Sequence, residues 1–333
     1  MHPPLSSKPS ALFLLEEIYW DDIYGPEERA EAGQLVHLPL PFQTFDSVRR
    51  APELLAETEI LLSGWGLQRC DEKFLDAAPR LQAIFYAGGT VRGIVSEALW
   101  QRGIRLSSTN SALAISVAEF TLGQILLGLK GAFRMASRLR QTREFLRQPF
   151  PGLYGTTVGL ISMGAIARRL VSLLRPFDLK VIAYDPLLPP AEAEALGIEL
   201  CSLDELFSRA DAVSLHTPSL PETQRMIRAS HFRLMKRDAV FINTARGAVI
   251  DEAGLIEVLQ ARPDLFAFLD VTEPEPAAPD SPLYTLPNVL VTPHIAGSLG
   301  HECRRMGRLA IAECRRYLRN EPLLGEITRE KIS

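Results

Sequence analysis

The stretch Thr157–Pro186, TVGLISMGAIARRLVSLLRPFDLKVIAYDP, decides how the chain is read. TVGLIS has the short apolar run of a buried strand, GAIARRLVSLLRPF repeats its apolar residues at helical spacing, and KVIAYD is a second strand. A strand, a sharp turn, a helix and a strand predict a parallel βαβ unit with a right-handed crossover. Downstream the alternation continues regularly: SLDELFSRA as helix, AVSLHTP as strand, a helical stretch near residues 229–236, AVFINTA as strand, DEAGLIEVLQA as helix, and LFAFLDV and NVLVTPH as strands. Upstream it is weaker. The first hundred residues hold strand-like LFLLE, QLVHLPL, EILLSGW and LQAIFYAGG, with helix-like SVRRAPELLAE and DEKFLDAAP between them. The two α/β halves are separated by Ile115–Gln148, which lacks proline and is rich in helix formers, so a long helical stretch is expected until Pro149–Gly155 breaks it. Near the end, GHECRRMGRLAIAECRRYLRN predicts one more helix, outside the alternation and packing back on the first half.

A chain of 333 residues is expected to form two domains. With 47% hydrophobic and 23% charged residues it has the profile of a folded enzyme, not of a disordered or fibrous protein. A net charge of −4 offers no broad positive field for phosphate backbones, so nucleic acid is not an expected partner. The N-terminus, MHPPLSSKPSALFLLEEIYW, lacks the basic flank and long apolar core of a signal peptide. No run is read as approaching the ~20 apolar residues of a membrane span. No membrane association and a cytoplasmic protein are therefore expected. Cys70, Cys201, Cys303 and Cys314 form no CxxC pair, which predicts scattered reduced thiols and no metal site.

A strand that turns sharply into a helix points the helix's first amides outward, where a pyrophosphate binds. The usual fingerprint of such a turn is GxGxxG or GxGxxA, with one glycine for the turn, one for phosphate approach and a small residue for helix packing. Here those positions are Ser162, Gly164 and Ala167. The middle glycine is kept, but serine in the first place takes the turn only with a negative φ or under strain. Asp185 ends the next strand about twenty residues on, where a carboxylate accepts hydrogen bonds from the adenosine ribose and repels the extra phosphate of NADP. NAD is the expected cofactor.

Reduction of a 2-keto acid by hydride needs a proton for the carbonyl oxygen, a cation for the carboxylate, and control of the proton donor. Histidine supplies the first, the planar fork of arginine the second, and an acidic partner, which favours imidazolium, the third. INTARG with Arg246, LDVTEPEP with Asp270 and Glu275, and VTPHIAG with His294 offer these types at expected strand ends. His216, in LHTP, is a rival base. Taken singly, Arg246 reads as a surface ion-pair residue, Glu275 as a solvated loop residue, and His294 as a loop histidine.

Together, VGLISMGAIA, AYDP, SLHTPSLPETQRMI, FINTARGAVIDEAGL, LDVTEPEP and PNVLVTPHIAG resemble, in order and spacing, the D-isomer-specific 2-hydroxyacid dehydrogenases. Before residue 110 the resemblance is carried by YAGGTVRGI and NSALAISVAEFTLG. It implies an α/β fold in which a Rossmann-type, doubly wound NAD-binding domain, residues 112–295, is inserted into a smaller flavodoxin-like substrate domain, residues 1–111 and 296–333. It implies interconversion of a small D-2-hydroxy acid and its 2-keto acid, of the glyoxylate/hydroxypyruvate or 3-phosphoglycerate type. Arg246 would bind substrate, His294 would act as acid/base, and Glu275 would hold His294. Asp270 would hold the nicotinamide carboxamide and Asp185 the ribose. Ser162, Met163, Gly164, Ala165 and Ile166 would form the pyrophosphate turn, and His216 and Pro218 would line the adenine pocket, which demotes the rival base. Thr244, Ala245, Ala296 and Gly297 would complete the cofactor contacts, and Gly88, Gly89 and Thr90 would meet the substrate. Residues 115–148 would join two copies in a homodimer. Two departures stand out: Ser162 for glycine, and Arg92 and Gly93 where many relatives carry Asp and Asn. Arg92 and Trp65 bear on substrate choice, or are surface and packing residues. The resemblance also leaves two other readings, an NAD(H)-sensing corepressor that keeps the same Arg/Glu/His set, and a formate dehydrogenase, against which Glu275 argues because that branch carries Gln there.

Overall fold

The computed structural model describes residues 8–331; residues 1–7, on which the reading of the N-terminus partly rests, and 332–333 lie outside the described residues. Among the described residues the strands are β1 (Ala11–Leu14), β2 (Ile60–Gly64), β3 (Ala83–Ala87), β4 (Arg105–Ser108), β5 (Thr157–Ile161), β6 (Lys180–Tyr184), β7 (Glu199–Leu200), β8 (Ala212–Leu215), β9 (Val240–Asn243), β10 (Phe266–Leu269), β11 (Val289–Val291) and β12 (Glu326–Ile327). The chain divides into two compact units, one built from the residues up to Leu113 together with those from Ser298 on, the other from Ala114–Gly297. The divisions fall two residues beyond the boundaries expected at 111/112 and 295/296.

In the first unit the sheet order is β1-β2-β3-β4-β12, with β12 antiparallel to β4 and the rest parallel. The C-terminal helix, Cys303–Leu318, buries Met306, Ala310, Ile311 and Cys314 in one apolar cluster with Phe13, Ile60, Leu62 and Phe85. QLVHLPL is not a strand. Gln34 and Leu35 close the helix Pro26–Leu35, which the Glu28 carboxylate starts by accepting the Gly25 amide, and the rest of the stretch forms a single bridge, at His37. Prolines at 39 and 41 remove the amide donors a ladder would need.

The second unit is a seven-stranded parallel sheet in the order β11-β10-β9-β8-β5-β6-β7, with the order reversing at β5. Fully buried Phe207, Phe232 and Phe241 pack on one side, Phe232 edge-on to Phe241 at 4.9 Å. Burial of each ring stabilises the unit by roughly 1.5–3 kcal/mol. The long stretch Ile115–Gln148 is two helices, Asn110–Leu129 and Ala132–Thr142, and helix ends well before Gln148. Gly131 turns the chain between them at φ +62°, and a Cβ there would lie 2.4 Å from the Phe150 ring that packs on it. Arg134 then ties the second helix to Asp238 and to the carbonyls of Pro263 and Asp264, and Arg143 ends it in the left-handed region at φ +58°. By length and composition Asn110–Leu129 is apolar enough to cross a membrane, with a mean hydropathy of 1.7, which corrects the expectation from run length. Half of that apolar stretch is buried, Ile125 and Leu129 lying in one core cluster with Val240 and Phe268.

Candidate active site

The ends of six neighbouring strands are in register. Tyr184 pairs with Ile161, Ile161 with Leu215, Leu215 with Asn243, Asn243 with Leu269, and Leu269 with Val291. The next residues, Asp185, Ser162, His216, Thr244, Asp270 and Thr292, therefore form a row along the carboxyl edge of the sheet. Open parallel sheets bind ligands at this edge, at the strand where the order reverses, and that strand is β5.

At β5, Ser162 has φ +70°, so it takes the turn in the strained, left-handed form. Its hydroxyl is 2.8 Å from the Thr217 hydroxyl, and the amide of Met163 donates to the Asp185 carboxylate at 2.7 Å. The Met163 side chain is buried in the core, so what this residue contributes to the turn is its backbone. Gly164 and Ala165 are exposed at the start of the helix Ala165–Leu174, with Ile166 half-buried, and a Cβ on Gly164 would meet nothing within 4 Å. That leaves the turn open to a phosphate. A cleft of about 1060 Å³ runs from Ser162, Met163 and Gly164 past Asp185 and Leu187 to His216, Pro218 and Leu234. An adenosine diphosphate moiety fits a concavity of this size and composition.

His216 lines the cleft but is buried, with Nε2 3.0 Å from Ser214 Oγ and Nδ1 buried without a partner. The orphaned nitrogen suits a ligand that brings its own hydrogen-bonding edge. Burial pushes the imidazolium down to about 4, which leaves it a poor rival base at neutral pH. The sign of the linkage follows: an unfolded His216 takes up a proton as pH falls past about 6.5 and the folded one only near 4, so in that window the unfolded chain binds more protons. Stability present above pH 6.5 is expected to fall by roughly 3 kcal/mol as pH is lowered to 4. Urea midpoints measured across this range should show that loss in the wild type and a flatter profile in His216→Gln; parallel profiles would exclude the assignment.

At the other end of the row, Asp270 is buried and its carboxylate accepts Thr292 Oγ1 at 2.5 Å and the amides of Ile295 and Ala296 at 2.8 Å. It holds the loop that follows β11. On that loop His294 has φ +54°, and its Nδ1 lies 2.5 Å from Glu275 Oε1. Both side chains are about half exposed. Asp270, expected to hold the nicotinamide carboxamide, here accepts hydrogen bonds from the chain that carries His294. Thr244, expected in the cofactor contacts, is buried with its hydroxyl 3.1 Å from that of Thr121. Ala296 is buried and Gly297 half-buried.

Arg246 is exposed just beyond β9, with Nη1 donating to the Ala245 carbonyl at 2.5 Å. Its loop is shaped by buried Asn243, whose side chain accepts the Ala245 amide and donates to the Arg246 carbonyl. Gly247 lets this loop pack on the one carrying Glu275, because a Cβ there would lie 2.1 Å from the Thr272 carbonyl oxygen. Gly247→Ala must push two backbones apart and is expected to destabilise the protein by about 2–3 kcal/mol, a cost a thermal melt will register. An unchanged midpoint would show that the two loops do not pack in this way.

In the first unit, Gly88 is buried and Gly89 half-buried after β3, and Thr90 and Arg92 are exposed. A Cβ on Gly88 would run into the Tyr86 ring, and Trp65 packs edge-on against Tyr19 at 4.8 Å. Sequence reasoning passed over Thr217, Asn243 and Thr292. Thr217 stands between two residues it did name, and the missing glycine at 162 was the signal that something nearby must hold the turn.

The sheet order, the turn at its reversal point and the row of polar strand ends define a doubly wound, dinucleotide-binding domain. The family profile described as D-isomer specific 2-hydroxyacid dehydrogenase, NAD binding domain, matches residues 122–296. A D-3-phosphoglycerate dehydrogenase from Methanocaldococcus jannaschii is 37% identical over 250 residues, 74% of this chain and 47% of that protein. A glyoxylate reductase from Thermofilum pendens is 34% identical, with 76% of each chain aligned. The structure of a phosphoglycerate oxidoreductase from Rhizobium etli superposes with a TM-score of 0.81 over 98% of this chain and all of that one, at 23% identity, a likeness of fold. The chain spans about half the length of the phosphoglycerate dehydrogenase from M. jannaschii. It belongs to the D-isomer specific 2-hydroxyacid dehydrogenase family, and its second unit is that family's NAD-binding domain.

Proposed function

We propose that the protein is an NAD-dependent dehydrogenase that interconverts a small D-2-hydroxy acid and its 2-keto acid. The observation that carries this reading is the His294–Glu275 contact at 2.5 Å on the carboxyl edge of the sheet, in the same unit as Arg246. A carboxylate only accepts, so Nδ1 donates to Glu275 and Nε2 is the nitrogen left to give or take the substrate proton. Arg246 offers its fork to the substrate carboxylate and carbonyl. Ser162, Gly164, Ala165, Asp185 and His216 would hold the NAD, which when bound supplies or accepts the hydride at C2 of the substrate. No metal is required by this scheme.

Phosphoglycerate would call for several cations near the substrate loop, and Arg92 is the one that sequence offers there. The reading therefore favours glyoxylate or hydroxypyruvate over a phosphorylated acid. A panel of 2-keto acids with NADH and NADPH, followed at the nicotinamide absorbance, tests it: turnover of an unphosphorylated acid with NADH is expected, and absence of turnover with every acid would leave the NAD-sensing binding protein as the better account. We also assign a homodimer to the 115–148 region, where Leu127, Leu139, Phe145 and Leu146 expose apolar surface. Sedimentation at the monomer mass of 36.9 kDa would exclude it.

A further inference from the structure

The phosphate turn of this chain carries serine where its conformation favours glycine, and the ends of the two neighbouring strands, β6 and β8, hold it there. The Ser162 amide donates to the Tyr184 carbonyl at 2.8 Å, its hydroxyl meets Thr217 Oγ1 at 2.8 Å, and the next amide, that of Met163, donates to Asp185 Oδ2 at 2.7 Å. The clasp is shielded, with Thr217 and the Met163 side chain both buried. Such screening strengthens a hydroxyl pair and makes its loss costly. The other Asp185 oxygen accepts the Leu187 amide at 2.8 Å, which fixes the carboxylate in place, and Arg168 Nε donates to the Met163 carbonyl at 2.8 Å. A residue at φ +70° relaxes toward negative φ when nothing opposes it, unless it is glycine.

We propose that Thr217 and Asp185 act as positioning residues that hold Ser162 in the left-handed form the dinucleotide turn needs, replacing the glycine that other turns of this kind use. Asp185 then has two tasks, meeting the ribose and setting the phosphate turn. Exchanging it to admit NADP disturbs the turn unless residue 162 is changed as well. The proposal rests on reading the Ser162–Asp185–His216 cleft as the NAD site.

The two tasks separate in double-mutant cycles on NADH affinity, read by nicotinamide fluorescence on the full chain. A ribose contact is independent of residue 162, whereas the clasp is coupled to it. Thr217→Val is expected to weaken NADH at least about fivefold with Ser162 in place and less than about twofold in the Ser162→Gly background. Thr217→Ser keeps the hydroxyl and should bind as the wild type does, which distinguishes a lost clasp from a damaged core. Asp185→Ala weakens binding in both backgrounds, and by at least about fivefold more when Ser162 is retained. Equal losses in the two backgrounds overturn the clasp while leaving the cofactor site standing. A wild type that binds neither NADH nor NAD overturns the site itself, and the clasp with it.

Discussion

His294→Ala is expected to lower kcat for 2-keto acid reduction by about 10²–10⁴-fold, the range that a positioned proton donor contributes, while the Kd for NADH stays within about twofold. The histidine is held from three sides. Its amide donates to the Asp270 and Thr292 carbonyls at 3.0 and 2.9 Å, Asp270 ties the following two amides, and Glu275 takes Nδ1. The ring is thereby presented in one tautomer and one direction, with Nδ1 engaged and Nε2 the nitrogen proposed to react. Removing the ring leaves hydride transfer without a proton source other than water, and the phosphate turn, at β5 on the far side of β8, β9 and β10 from the β11 loop, keeps its shape. Glu275→Ala should cost less, because the ring remains, and in the His294→Ala background it should add little, since residues that act as one unit are not additive. Stopped-flow turnover alongside NADH titration separates the two quantities. Activity equal to wild type in His294→Ala would remove the acid/base assignment, and a parallel collapse of NADH binding would recast His294 as part of the cofactor site.

Much of this site is legible in the sequence because parallel sheets put chemistry at strand ends, and strand ends are readable from apolar runs. Asp185, Arg246, Asp270 and His294 all fall one to three residues past such a run, and the register of β5, β6 and β8–β11 turns that one-dimensional regularity into a row. What sequence reading missed depends on residues far apart in the chain. Ser162 advertises a missing glycine, but its hydroxyl partner stands 55 residues away and can be assigned only once β5 and β8 are neighbours. Asp270 reads as a cofactor contact through the family resemblance; that its carboxylate also accepts three hydrogen bonds from the segment after β11 becomes visible only with the pairing of β10 and β11. The break at Gly131 went unread for a similar reason, since glycine is tolerated within helices and what decides here is Phe150 folding back onto it. Short elements such as β7 and β12 carry too few residues to show any period and owe their existence to the neighbour they pair with.

Arg246→Lys is expected to lower kcat/KM for a 2-keto acid by about 10–10²-fold although the charge is kept, and Arg246→Ala by more. Each charged hydrogen bond to a carboxylate contributes roughly 1.5–3 kcal/mol, and the guanidinium fork makes two where an ammonium makes one that is less directed. The backbone around the residue argues that direction is what matters. Asn243 closes the Ala245–Arg246 turn with both ends of its amide, and Gly247 brings that turn against Thr272, two residues before the proline that precedes Glu275. Such a loop has little freedom to let a lysine find the carboxylate from a different angle. A fork that holds the substrate carboxylate in the ground state and strengthens its hold on the carbonyl oxygen in the transition state would divide its loss between KM and kcat, in contrast to His294→Ala, where the loss is expected to fall on kcat. NADH affinity should be unchanged in both arginine variants. A lysine variant that retains wild-type kcat/KM would show that Arg246 acts as a general positive charge, and the fork would then have no part in orienting the substrate.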